Sequence, residues 1–466
     1  MQIHIEQLDV ARWSGGAWHG QKAGIIRGFS IDTRLLQAGH VFVAIRGEKN
    51  DGHAYLAEAM RRGAAAVMID DPGALRGMTI PHVLVSDTRR AFQNIAHGYL
   101  RMLACPVAAV TGSVGKTTVK ELLADMMQAV GPTARTRGNW NNDLGVPLSI
   151  LGASADTRFG IFEIGMNHPG ELDPLCDILE PDLGLVTCVG PVHIENFENE
   201  HGIAVEKSAV YRGLKGQGVA VMNADDKHIG VMREYATGSR IIEVSGQRDA
   251  DYMYRRLDPV AGIFEINERA TGDKVECRAS LPGDYFVMNA ALSAAAARAF
   301  GAPWSAIQHA VQSYQPLTMR WNRQTFFGVH TVNDAYNANP VSLRAAIRAF
   351  MEEPVKGNRW LVLGGMLELG VNEDTYHHEA GAFIARTGDV HLITVGRLGA
   401  LIASGARDAG MPADKVHMMS SHAEAAAILH ASLNTGDSVL FKGSRGEAIE
   451  RVLDDWKSLR DATRGE

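Results

Sequence analysis

TGSVGKTT, Thr111 to Thr118, stands between the apolar run VAAV (107–110) and a segment in which Val119, Leu122, Leu123, Met126, Met127 and Val130 recur at helical spacing. Strand, glycine-rich turn and helix in that order make the context in which a turn holds phosphate. Gly112 and Gly115 allow backbone N–H groups to approach a phosphate chain, and the helix N-terminus adds partial positive charge. Lys116 is placed to reach β- and γ-phosphates and Thr117 to offer its hydroxyl to Mg²⁺, while Ser113, Val114 and Thr118 complete the candidate nucleotide contacts. The commonest form of this pattern has glycine six residues before the lysine; Val110 stands there, which implies a shortened loop. The alternative, an incidental turn with a solvated lysine, fits the intact GKTT and its flanks poorly.

Outward from this loop the same rhythm continues. IFEIG (161–165), LGLVTCVG (183–190) and GVAVMN (218–223) are buried-strand candidates, so the middle of the chain reads as a doubly wound, mostly parallel α/β sheet. Before it, VFVAIRG, AAAVMID and HVLV between Val41 and Val85 alternate with helix-like stretches, a small α/β unit with no catalytic cluster and hence suited to binding. After it, WLVLGG (360–365), VHLITVG (390–396) and DSVLFKGS (437–444) alternate with helices carrying Leu343, Ala346, Ile347 and Phe350, then Ile449, Val452, Leu453 and Trp456. The expectation is α/β throughout, in three units: 1–105, 106–315 and 316–466.

A chain of 466 residues has room for three cores of ordinary size. Its net charge of -7, with both signs mixed along the chain, provides no basic stripe and argues against a nucleic-acid partner. Cys105, Cys176, Cys188 and Cys277 are widely spaced, which suggests reduced thiols rather than a zinc site or a disulfide framework. The start, MQIHIEQLDVARW, lacks the apolar run of a signal peptide, and no stretch reaches the ~18 apolar residues of a membrane span. A cytoplasmic protein is expected, with monomer as the default state.

Three further residues bear on chemistry. Glu163 interrupts the apolar run FGIFEIGM, where a carboxylate is costly unless paired or bound to a cation; at a strand end facing a phosphate loop, Mg²⁺ is the natural partner. Capping by backbone donors at a sheet edge is the structural alternative. His193 follows a buried strand in GPVHIENF, and Lys207 lies in the helix-like AVEKSAVYRGL. Taken alone, the histidine reads as an incidental loop residue and the lysine as an exposed one on a solvated helix face.

Taken together, these residues resemble the Mur ligase superfamily over essentially the whole chain. The resembling segments are SIDTR (30–34), GHVFVAIRGEKNDGH (39–53), TGSVGKTT, NNDLGVPLSIL (141–151), the Glu163 strand, His193 and EKSAVYRGL. DAYNANPVSL (334–343), LGGMLELG (363–370) and KGSRG (442–446) narrow the resemblance to the branch that joins D-alanyl-D-alanine to a UDP-N-acetylmuramoyl-tripeptide. The resemblance implies that Ser30, Asp32, Thr33, Arg34, Asp51, Gly52 and His53 hold the uridine diphosphate end of that substrate. It assigns Asn141, Asn142, Asn337 and Asn339 to substrate as well, Asn289 and Asp334 to adenine and ribose, and Arg320 to the phosphates of ATP. It also implies that Glu163 and His193 help hold Mg²⁺, and that Lys207 reacts with CO₂ to give a carbamate that binds a second Mg²⁺. The three units then become a UDP-substrate domain, an ATP domain and a C-terminal domain for the dipeptide and for closure over ATP.

The reaction implied is phosphorylation of the tripeptide carboxylate by ATP, attack of the D-alanyl-D-alanine amine on the acyl phosphate, and release of ADP and phosphate. The sequence departs from the family pattern in three places. Tyr285 stands where histidine is usual, Met319 replaces a glycine before Arg320, and Gly365 replaces the aspartate of LGDM. The alternatives are a related ligase taking another amine, and a nucleotide-binding switch without ligase activity. A switch does not require the Glu163, His193 and Lys207 set.

Overall fold

All five residues of the strand Val107–Thr111 are buried, as in a parallel strand covered on both faces. In the computed structural model, which describes residues 5–21 and 25–464, this strand lies inside a nine-stranded sheet. Residues 1–4 of the N-terminal stretch discussed above lie outside the described part.

Phe159–Glu163 pairs in parallel with one side of Val107–Thr111, and Leu183–Val186 with the other. Strand order therefore reverses at Val107–Thr111, and the crevice beyond the C-terminal ends of these three strands is the place where such sheets bind ligands. The turn of TGSVGKTT, Glu163 and the residues after Val186 all emerge there. The parallel run continues through Val219–Asn223, Arg240–Ser245 and Tyr252–Asp258. It then turns antiparallel through Ile263–Glu268 and Asp273–Arg278, a meander not anticipated from the sequence. Helices Lys116–Gln128 and Asp284–Ala299 pack side by side over one face of the sheet. The helix after the phosphate turn stops at Gln128, so Val130 lies beyond it, although it still packs on the same core.

The first sheet runs in the order Ala17–His19, His82–Leu84, Ala66–Ile69, His40–Val43, Gly28–Ser30, antiparallel only at its first pair. The third sheet has six strands with Ser438–Lys442 and Arg359–Leu363 at its centre, and its single antiparallel pair is the edge hairpin Asn322–Phe326 with Val329–Asn333. The expected three-part α/β architecture is thus present. No helix among the described residues is long and apolar enough to cross a membrane.

Candidate active site

The strand Val107–Thr111 runs through Val110 to Thr111, which is why valine rather than glycine occupies the position six before Lys116. The turn begins only at Gly112. A Cβ there would lie 1.9 Å from Thr187 Oγ1, and its φ of +148° falls in the region that favours glycine. Thr187 in turn donates to the Val114 carbonyl at 2.5 Å, while Ser113 N donates to Cys188 O at 2.8 Å and Ser113 Oγ to Gly190 O at 3.0 Å. The segment after Leu183–Val186 therefore clamps the turn from one side. At Gly115, φ +87°, a Cβ would meet Asn289 Oδ1 at 2.5 Å. Helix Lys116–Gln128 starts at this point and presents the free N–H groups of its first turn. The Lys116 ammonium donates to Gly112 O at 2.7 Å. Burial pushes the pKa of Lys116 down, opposed by the nearby Glu163 carboxylate.

Glu163 ends its strand beside Val110 and is 1% exposed. Its Oε1 accepts from Asn141 Nδ2 at 2.8 Å, whereas Oε2 is buried without a hydrogen-bond partner. A carboxylate oxygen left unsatisfied in the interior is the kind of atom a cation completes. Thr117, also buried, lines the same cleft. No group of three His, Cys, Asp or Glu suited to a metal occurs among the described residues, so the donor set fits Mg²⁺ arriving with phosphate oxygens and water.

His193 adopts a left-handed φ of +53°, lines the cleft, and its buried Nδ1, outside hydrogen-bond geometry with any group, lies in ion-pair contact with Glu368 of the third sheet's unit. That histidine holds the Glu368 carboxyl below the usual carboxylate range. Lys207 corrects the expectation of an exposed lysine: it is 1% exposed, and no ion pair holds it among the described residues. Burial keeps its pKa well below the usual lysine range, and repulsion from Lys116 acts in the same direction.

The opposite wall of this cleft, of about 340 Å³, comes from the last unit. Arg320 lies over the Tyr336 ring, 3.9 Å from its centroid. Asp334 accepts from Trp321 N at 3.1 Å and from Lys442 Nζ at 2.6 Å, and Lys442 also donates to Asn337 O at 3.0 Å. Asn337 and Asn339 both reach the cleft. Asn339 also caps helix Pro340–Glu352: its side chain accepts from Ser342 N at 2.8 Å while Ser342 Oγ accepts from Asn339 N at 3.0 Å. Asn289, whose Oδ1 is buried without a partner, and Tyr285, whose hydroxyl is pushed up to about 12 by burial, complete the lining beside the turn.

Not every residue singled out from sequence reaches this cleft. Asn142 spends its Oδ1 on Gly145 N at 2.8 Å, at the start of helix Gly145–Ile150, and does not line the cleft. The first unit's residues form a separate group. Ser30 Oγ donates to Asp32 O at 2.8 Å, Asp32 pairs with the exposed Arg34 at 2.7 Å, and Thr33 sits in the turn between them. Asp51 pairs with His53 Nδ1 at 2.7 Å, and a Cβ at Gly52 would meet Ile45 N at 2.7 Å. Sequence reasoning passed over Asn139, Trp321, Tyr336 and Glu368 as individual residues, and quoted Lys442 only within DSVLFKGS and KGSRG. A lysine made important by burial gives no signal in a linear sequence.

Two of the three departures acquire physical reasons. Met319 sits at φ +57°, where glycine would be unstrained. At Gly365 a Cβ would lie 2.6 Å from Leu398 Cβ, so the space an aspartate would need is filled by leucine.

Three family patterns match the chain: Mur ligase family, catalytic domain, at residues 25–100; Mur ligase middle domain at 110–297; and Mur ligase, glutamate ligase domain, at 319–445. The UDP-N-acetylmuramoyl-tripeptide--D-alanyl-D-alanine ligase of Bacillus subtilis is 32% identical over 92% of this chain and 93% of its own length. The chain belongs to the Mur ligase family. Among solved Mur ligases, MurF from Acinetobacter baumannii superposes with a TM-score of 0.90 at 27% identity, covering 98% of this chain and 99% of that one. MurF from Thermotoga maritima, solved with ADP, gives 0.80 at 26% identity over 93% and 97%.

Proposed function

We infer that this chain is an ATP-dependent ligase that adds D-alanyl-D-alanine to a UDP-N-acetylmuramoyl-tripeptide in peptidoglycan synthesis. The phosphate-binding turn with the unpartnered oxygen of Glu163 beside it, on the central unit's wall of an inter-unit cleft, carries this reading. Full-length similarity to ligases of that name narrows it to the dipeptide-adding reaction.

In the reaction the tripeptide carboxylate attacks the γ-phosphorus of ATP, ADP leaves, and the free amine of D-alanyl-D-alanine attacks the acyl carbon and expels phosphate. A bare carboxylate has no acceptable leaving group, which is why phosphorylation comes first. Two anions must meet, so the protein's task is alignment and charge compensation. Thr111, Gly112, Ser113, Val114, Gly115, Lys116, Thr117 and Thr118 hold the phosphates, with Lys116 bearing on the β- and γ-groups. Asn289 and Asp334 flank the adenosine, and Arg320, held flat by Tyr336, compensates phosphate charge from the opposite wall. Asn141 fixes the Glu163 carboxylate, and Thr117, Glu163 and His193 would hold Mg²⁺, which offsets charge on the transferring phosphoryl group.

The burial of Lys207 supports its carbamate form. Burial disfavours the ammonium form, and the neutral amine is the form that adds CO₂. The resulting anion would be attracted by the Lys116 cation that repels an ammonium, and it would hold a second Mg²⁺. The first unit, through Ser30, Asp32, Thr33, Arg34, Asp51, Gly52 and His53, takes the uridine diphosphate end. Asn337 and Asn339, which line the cleft, would meet the dipeptide, whereas Asn142, turned to Gly145 N, would act on substrate only through the loop it shares with Asn141. We place the enzyme in the cytoplasm as a monomer, which sedimentation at working concentration would test.

The deciding experiment is incubation with ATP, Mg²⁺, the UDP-linked tripeptide and D-alanyl-D-alanine, followed by mass spectrometry. The expected product is the pentapeptide precursor with one ADP and one phosphate per bond. Equal ADP formation with and without the dipeptide would overturn the ordered reaction.

A further inference from the structure

Helix and sheet of the last unit meet the central unit at a second place besides the cleft walls. The short turn Ile194–Asn196, directly after His193, lies against the loop Glu368–Asn372. Glu195 N approaches Glu368 O at 3.4 Å, and a Cβ at Gly370, φ +60°, would come within 3.1 Å of Glu195 Cα, so glycine lets the two backbones touch. Ile194 packs against the cores of both units. Leu369, 2% exposed, anchors the loop from below. Both members of the His193–Glu368 pair carry left-handed backbone, φ +53° and +64°, in residues that ordinarily avoid it. The Glu368 side chain is 47% exposed, and an ion pair that open to water contributes little to stability. Strained backbone on both partners, a close approach that requires glycine and a weak stabilising return together point to a role in orientation.

An imidazole that binds a metal through one ring nitrogen commonly gives its other N–H to a carboxylate, which fixes tautomer and ring plane. We propose that Glu368 is a positioning residue: its carboxylate, in contact with His193 Nδ1, takes the Nδ1–H when the histidine binds metal, leaves Nε2 as the ligand nitrogen, and makes the metal site dependent on docking of the last unit. This rests on the reading of His193 as a metal ligand given above. Under it the loop Glu368–Asn372, far along the chain from the phosphate turn, determines whether the histidine is presented to the cleft. A unit that has swung away would leave the ring free to turn, and the site would lose a donor until closure restored it.

The test is Mn²⁺ binding to the full chain with saturating ADP, followed by electron paramagnetic resonance of free Mn²⁺, with ADP affinity in EDTA measured alongside. Glu368→Ala should weaken Mn²⁺ by about 10- to 100-fold, the usual effect of removing the partner of a ligating histidine. Glu368→Gln, which keeps an acceptor oxygen, should recover part of the loss. Metal-free ADP affinity should not move in either variant. His193→Ala should weaken Mn²⁺ at least as much, and adding Glu368→Ala to it should cost nothing further. If His193→Ala alone leaves Mn²⁺ affinity intact, the ligand reading of His193 falls and the proposal with it. If His193→Ala weakens the metal while Glu368→Ala does not, the ligand reading stands and the positioning role is overturned. Equal loss of metal and metal-free ADP binding in both Glu368 variants would also overturn it, because the residue would then be structural.

Discussion

At the scale of single residues, the tightest constraint is Gly112. Even the one-carbon change Gly112→Ala places a methyl group 1.9 Å from Thr187 Oγ1 at a φ that disfavours side chains, so the turn must shift. Nucleotide affinity is expected to fall by more than about 10-fold, a loss of at least ~1.4 kcal/mol, with the fold retained by circular dichroism. Lys207→Ala removes the amine that would carry a carbamate; phosphate release should vanish and return in part when a short carboxylate such as formate is supplied. Unchanged turnover would end the carbamate reading. Gly365→Asp should lower thermal stability because Leu398 fills the space, and Leu398→Ala in the same chain should recover part of it. The phosphate turn was legible because its requirements fall on consecutive residues. The state of Lys207 was not, since its burial and its neighbours Lys116 and Cys188 come from segments remote in sequence.

At the scale of elements, helix Pro340–Glu352 is set by its first residue outside. Asn339→Ala removes a capping box and should cost about 1 kcal/mol in chemical denaturation, together with a raised KM if the side chain also meets substrate. Lys442→Met takes from Asp334 its 2.6 Å partner and frees the carbonyl of Asn337, so the segment between them loses its tie to the central strand of the third sheet. Destabilisation below the ~3–5 kcal/mol of a fully buried pair is expected, since the Asp334 side chain keeps 18% exposure, and affinity for ATP should fall with it. Alternating apolar runs and helical spacing located the parallel strands around the cleft. The meander from Tyr252 to Arg278 escaped notice because strands such as YMYRRLD and DKVECR bury few apolar residues and read as solvated loop. The expected boundaries at 105 and 315 rested on pattern alone.

At the scale of the whole molecule, the central and last units are tied at the rim of the cleft by Arg256, which donates to Asp284 of its own unit at 2.8 Å and to Glu352 of the last at 2.6 Å. Asp284 starts one helix of the central unit and Glu352 ends another of the last. Arg256→Ala should loosen their docking, increase the radius of gyration in small-angle scattering, and weaken nucleotide binding by about 5-fold, the low end of coupling between sites. No change in either measurement would show the contact to be incidental.

The cleft has a further consequence for how the molecule melts. Gly115 to Thr118 belong to one folded body and Arg320, Asp334 and Lys442 to another, so a nucleotide that engaged both walls of the cleft would act as a bolt through two plates. In scanning calorimetry the empty protein should show these bodies unfolding as separable steps, and saturating ADP should draw the steps together into one sharper peak at higher temperature.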